Sequence, residues 1–270
     1  MTLRLGRLLA FFPLAFVLAC GDATDEALAA PGEPRFGLTG LVVSDSDVLD
    51  SGEQRARLQL GGTFGLFRVT EPDDPGQGWQ LDFQAGFDGQ FDADHSLDNI
   101  GWDGIYGLYL TRTLGPKTAA RVGLHHVSSH VGDEFLERTG RGRINYTREE
   151  LVVGLSRQMT EELRVYGEVG WGYEVRRQDL QEPGRIEVGA ELDRKGALWG
   201  DFGWYAAVDL GATEEKDWNL DTSVHVGVSF PSSENRRWRA GIGWYDGRVP
   251  IGEFFQNDEG FVVIGLWLDL

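Results

Sequence analysis

Cysteine is all but absent: Cys20 stands alone in 270 residues, so no intramolecular disulfide can brace the fold. Long apolar runs are missing as well. Outside Leu8 to Ala19 nothing approaches the roughly 20 apolar residues that a membrane-spanning helix needs. Basic charge is scarce, because 25 Lys and Arg stand against 43 Asp and Glu for a formal net charge of -18, and such a chain repels a phosphate backbone. Nucleic acid is excluded as a partner; cationic ligands, divalent ions or solvation of loops are the uses left for that charge. No linker or shift of composition interrupts residues 31–270, which predicts one domain.

What is present begins with an export signal over residues 1–30. Arg4 and Arg7 precede the apolar run, and small residues follow it. Two processing patterns overlap there. Val17-Leu18-Ala19-Cys20 has the layout of a lipoprotein box that would acylate Cys20, and Ala27-Leu28-Ala29 has that of a peptidase site.

The rest of the chain alternates. From Trp79 to Phe91, the residues Trp79, Leu81, Phe83, Ala85, Phe87 and Phe91 interleave with Gln80, Asp82, Gln84, Asp88 and Gln90, so a strand there separates two solvents. The pattern recurs, as in Ile186, Val188, Ala190 and Leu192 against Glu187, Gly189 and Glu191, or Val262, Ile264, Leu266, Leu268 and Leu270 at the end of the chain. Strands are predicted near 34–43, 54–68, 78–92, 99–113, 118–130, 148–158, 162–175, 184–193, 200–213, 218–230, 236–245 and 259–270. Stripes of about ten residues repeated about twelve times are more than a soluble sandwich needs and suit tilted strands crossing a bilayer. The expected fold is all-β: a transmembrane antiparallel up-and-down β-barrel of about 12 strands in the outer membrane, with both chain ends in the periplasm. A mean hydropathy of -0.28 agrees with this, since lumen residues offset lipid-facing ones in any average. Long or acidic connections at 44–53, 131–147, 176–183 and 246–258 are expected outside, tight turns inside, and 69–77 as a Pro-rich exception. Trp102, Trp171, Trp218 and Trp244 near one set of strand ends and Trp79 and Trp238 near the other read as interfacial girdles. Gly86, Gly107, Gly170, Gly227 and Gly243 are expected in the lumen. There they make room for arginines such as Arg57, Arg121, Arg164 and Arg185 and for carboxylates such as Asp88, Glu168, Glu187 and Asp209. His225 is expected there too, opposite acids.

Reactive side chains concentrate in His125-His126-Val127-Ser128-Ser129-His130-Val131-Gly132-Asp133-Glu134. Period two sets His126 and Ser128 on the lipid face with Val122 and Leu124, their alpha carbons about 6.5–7 Å apart. In that pairing His126 is the general base and Ser128 the nucleophile toward an acyl ester. Folding the hairpin brings up Glu149, on the face of Leu151 and Val153, as the group that orients the imidazole, with Asn145 second. Backbone amides near Ser129 or Gly132 are candidates for the oxyanion hole. Other readings coexist: Asp133 and Glu134, with His130, as oxygen-rich calcium ligands, and Asn145-Tyr146-Thr147 as a glycosylation acceptor.

The short motif His126-x-Ser128 resembles two barrel-enzyme families, outer-membrane phospholipase A and the lipid A deacylase, which carry a His-x-Ser on a lipid-facing strand near the outer surface. Both follow the serine with Asn, where this chain has Ser129. A wider resemblance rests on the Pro34-Arg35-Phe36 opening, the HVSSHVGDEF and RINYTREELVVGLS blocks, Lys216-Asp217-Trp218 and Trp244-Tyr245-Asp246-Gly247: these are similar to the domain-of-unknown-function 1207 family of bacterial exported proteins. That resemblance implies an outer-membrane-type barrel and no particular activity. Two functions follow as expectations. One is a serine acyl-ester hydrolase whose partners are outer-membrane lipid and lipopolysaccharide, the barrel-assembly machinery having inserted it. The other is a non-enzymatic narrow pore or structural barrel with acidic surface loops.

Overall fold

A computed structural model describes residues 27–176, 179–233 and 236–269; most of the export signal, Cys20 and Leu270 lie outside the described residues. Twelve strands follow in order: β1 (Phe36–Ser46), β2 (Gln54–Glu71), β3 (Asp74–Asp92), β4 (Asp98–Gly115), β5 (Thr118–Val131), β6 (Thr147–Gln158), β7 (Leu163–Val175), β8 (Gly184–Arg194), β9 (Gly203–Thr213), β10 (Leu220–Ser233), β11 (Arg236–Arg248) and β12 (Asp258–Asp269). Each pairs antiparallel with its neighbours in sequence, and β1 closes the cylinder against β12, so no edge is left unpaired. Long connections such as 132–146 and 249–257 gather at one end; tight turns such as 116–117 and 159–162 gather at the other. Even an 11-residue strand, rising about 3.3 Å per residue and tilted about 40°, spans about 28 Å along the axis, enough for the roughly 25 Å apolar band of an outer-membrane barrel.

The alternation read from the sequence becomes an inside and an outside. Ile264 is 68 % exposed while its neighbour Val263 is 5 %, and Leu38, Val153 and Val188 likewise face outward. Inward, the charges pair. Glu168 accepts from Arg121 at 2.5 Å and from Arg185 at 2.6 Å, and Arg185 passes on to Glu150, which Arg148 also holds at 2.6 Å. Removing one member of such a buried set costs about 3–5 kcal/mol, because the survivors stay desolvated and unpaired. Gly170 shows why small residues stand among them: a Cβ there would sit 2.9 Å from the Glu150 carboxylate.

Three features depart from the expectation. The connection at 69–77 is no loop: the β2–β3 ladder runs on to Glu71 opposite Asp74, and a bulge between Gly65 and Phe67 turns Phe67 and Val69 outward. One sector of the lumen is apolar, with Leu41, Val43, Phe261, Val263 and Trp267 buried around Tyr245. His225 faces this sector rather than acids, its ring 5.3 Å from that of Trp267 and its charged neighbours the guanidinium groups of Arg35, Arg239 and Arg57.

Both ends of the lumen are occupied by the chain itself. From the short-turn end, residues 27–35 fold back inside, where Arg35 donates to the carbonyls of Leu28 (2.8 Å), Ala27 (2.9 Å) and Ala30, and Arg57 donates to that of Pro31 at 2.7 Å. Pro34 lies against Gly86, where a Cβ would come within 2.6 Å of it, so the plug requires glycine in the wall. From the long-loop end, helix α1 (Asp133–Thr139) and a 3-10 turn at Gly252–Phe254 fold inward as a cap. Phe135, Ile251 and Phe254 form its apolar centre with Val48, Ile100 and Val249. Glu253, buried beneath, accepts the amides of Ile144 and Tyr146, both at 2.8 Å, and burial pushes the Tyr146 phenol above its ordinary range. Between plug and cap remains a cavity of about 160 Å³, lined by charged side chains such as Arg121, Glu168 and Arg185 together with apolar ones such as Ile105 and Phe255.

Candidate functional site

Because β5 is extended, Leu124, His126, Ser128 and His130 share its outward face, while Gly123, His125 and Ser129 point inward. Register sets their neighbours. His126 lies between Tyr106 on β4 and Glu149 on β6, Ser128 between Gly104 and Thr147, and His130 beside Trp102. The result is a polar row on the outside of the wall, near the long-loop end, in a surface rich in exposed aliphatic and aromatic side chains.

The first contact in that row is the one the sequence predicts. His126 Nδ1 lies 2.5 Å from Glu149 Oε1, with 13 % of the His126 side chain and 28 % of the Glu149 side chain exposed. A carboxylate accepts, so Nδ1 carries the hydrogen, and in the neutral imidazole the lone pair that a general base needs is then on Nε2. A bulge in the β6–β7 ladder falls between Glu149 and Glu150, the kind of irregularity that re-aims a side chain on a strand. The Tyr106 ring stacks on the imidazole with centroids 4.2 Å apart and limits its rotation.

Ser128 completes the row differently from expectation. Its Oγ hydrogen-bonds His130 Nε2 at 3.2 Å instead of His126, and His130 is stacked on Trp102 with centroids 4.3 Å apart. The serine thus lies between two imidazoles on the same face of the strand, each two residues away, and its hydrogen bond goes to His130. Of these two imidazoles, among the described residues, His126 is the one with a carboxylate behind it. Sequence reasoning placed His130 at the end of the fifth strand and named it only as a companion of Asp133 and Glu134 in a calcium site; the same period of two that paired His126 with Ser128 places His130 beside the serine on the other side.

The remaining expectations divide. The amides of Ser129 and Gly132 are no oxyanion donors here, since the first bonds Tyr146 O and the second Ile100 O, both at 3.0 Å. Asn145 stands in the loop before β6 with φ +59°, outside the His126 contact, and Tyr146 in the acceptor pattern is buried. Asp133 and Glu134 open helix α1, where Asp133 accepts from Arg143 at 2.6 Å. Among the described residues no three His, Cys, Asp or Glu side chains come together as a metal-holding group.

The chain belongs to the DUF1207 family, described as proteins of unknown function, whose model matches residues 32–269. No curated protein matches it by sequence. Among solved structures it is similar to outer membrane phospholipase A from Escherichia coli, at 14 % identity, 87 % of this chain and 90 % of that chain, with a TM-score of 0.60. An active-site mutant of that enzyme at pH 6.1 covers 95 % and 96 % at the same identity and TM-score. The Salmonella typhi outer membrane phospholipase, a dimer with bound calcium, is 12 % identical over 87 % and 90 %, with a TM-score of 0.60. At such identities the likeness establishes the fold, a closed barrel of outer-membrane type.

Proposed function

We propose, for this member of the family, that the barrel is an outer-membrane serine hydrolase that cleaves acyl esters of membrane lipid at its outer wall. The observation that carries this is the Glu149–His126 contact, an oriented imidazole on the outward face of the wall two residues from a serine on the same face. Ser128 Oγ attacks the acyl carbonyl while His126 Nε2 takes its proton. The tetrahedral intermediate then expels the lipid alcohol, which leaves with that proton, and water deprotonated by His126 hydrolyses the acyl-serine to free fatty acid. Glu149 keeps Nδ1–H directed toward itself and stabilises the imidazolium in both halves.

The placement suits the substrate. The headgroup zone tolerates polar side chains on a lipid-facing strand at about 0–1 kcal/mol, and a lipid ester reaches that depth without leaving the membrane. On this reading the long-loop end faces outward, both chain ends lie in the periplasm, and the signal over residues 1–30 directs export. The plug and cap support a wall-side activity over the pore: beyond the signal, Pro31 and Pro34 still fill one end against Arg57 and Gly86, and the cap occupies the other.

Purified protein folded in detergent, mixed with phospholipid, is expected to release fatty acid, and Ser128→Ala to stop that release while keeping the heat-modifiable mobility of a folded barrel. Equal release by wild type and Ser128→Ala would sink the proposal. Silence in planar bilayers is the matching expectation for the lumen.

A further inference from the structure

Next to Ser128 the wall has a gap. The residue opposite Ser128 on β4 is Gly104, which faces outward between Trp102 and Tyr106, the two rings stacked on His130 and His126. Nothing fills the place of its missing side chain: a Cβ built there meets Trp102 at 3.5 Å and the Ser128 carbonyl at 3.8 Å, both ordinary contacts. One strand farther, Phe87 is the register partner of Gly104, yet its ring leans toward Gly89, where a Cβ would be 2.8 Å from it, and toward Trp102, with centroids 5.6 Å apart. Gly89 is therefore roofed by an aromatic ring and Gly104 is left open, although both lie on the same outward face.

Resting on the hydrolase reading, we infer that the opening over Gly104 seats the substrate, with the acyl ester of a membrane lipid lying across Gly104 between the Trp102 and Tyr106 rings and its carbonyl presented to Ser128. The shape explains why large apolar residues flank the site and none stands in it. On the other side of Ser128, Thr147 and the Glu149 carboxylate offer a polar surface, so the apolar chain has its place on the β4 side. Outward glycine elsewhere does not have this meaning. Gly40 on β1 also faces out, 3.8 Å from Ile264 as judged from a built Cβ, but no reactive group stands beside it.

The test is a size series at Gly104 with three substrates: phospholipid mixed micelles, lipopolysaccharide and the compact ester p-nitrophenyl acetate. Gly104→Ala, which adds only ordinary contacts, is expected to act within about twofold of wild type on all three. Gly104→Leu is expected to lose about 10²-fold on whichever lipid wild type cleaves, since the ester is displaced by more than an ångström, and to keep acetate hydrolysis within about fivefold. Gly40→Leu, as a control, changes neither. Loss on lipid and acetate together would mean that the substitution damages the catalytic row, and unaltered lipid cleavage by Gly104→Leu would mean that the chain lies elsewhere; either overturns the inference. Wild type inactive on all three substrates, or Ser128→Ala as active as wild type, would instead overturn the hydrolase reading beneath it. The two lipid arms decide whether the ester belongs to a glycerophospholipid or to lipopolysaccharide.

Discussion

His125 and His126 are adjacent in sequence, as are Glu149 and Glu150, and the β5–β6 register joins them into two rungs that face opposite ways. On the inner rung His125 Nδ1 is 2.7 Å from the Tyr109 hydroxyl, and Glu150 is held by Arg148 at 2.6 Å and Arg185 at 3.1 Å. On the outer rung His126 and Glu149 hold each other. The inner carboxylate is saturated by guanidinium groups and serves the fold, whereas the outer one meets a single imidazole and leaves Nε2 available. Identical side chains, one residue apart, are thus held by other partners on one side of the wall, Glu150 by ion pairs with arginine, and joined to each other on the other, where the proposed hydrolase uses them for proton transfer. The difference is made by what else each side supplies: arginines within, aromatic rings without.

Four substitutions sharpen that contrast. Ser128→Ala is expected to have the largest effect, about 10⁴-fold or more on fatty-acid release with stability unchanged, as for loss of a nucleophile in a triad. Glu150→Ala, on the inner rung, should lower stability by about 3–5 kcal/mol, read from urea unfolding in detergent, because Arg148 and Arg185 are left buried without it. Glu149→Ala should do the converse: release falls about 10²-fold while the unfolding midpoint moves by less than about 1 kcal/mol, the usual worth of a partly exposed pair. A large stability loss there would erase the distinction between the rungs. The smallest effect is expected for His130→Phe, which keeps a ring against Trp102 but removes the competing hydrogen bond to Ser128. Release should rise about 2- to 12-fold, the worth of one such bond; a collapse of release would make His130, not His126, the base.

The twelve strands were legible because the period of two is enforced on every one of them by two different solvents, and their predicted limits fall within a few residues of those observed. The outward position of His126 and Ser128 followed from the same rule, and the contact with Glu149 from counting back along one hairpin. Less could be read where neighbours are distant in sequence. Trp267 and Phe261 alternate as lumen residues should, but only closure of β12 on β1 and β11 shows that they pack with Leu41 and Tyr245 as an apolar sector. The cap was hidden for a related reason: Glu253 looks like one more acid in an acidic loop until Ile144 and Tyr146, more than 100 residues away, bring it their amides.

Residue by residue, the order of side chains already determined that this chain forms extended segments with one apolar face, and which of its reactive groups stand on that face, because strand geometry is local and alternation cannot be satisfied any other way. Tertiary structure alone decided which imidazole Ser128 touches, that residues 27–35 return into the lumen, and that the place beside Ser128 stays open over Gly104. Those outcomes depend on rotamers and ring orientations of side chains contributed by several strands at once, and short-range pattern carries no information about how they share the space between them.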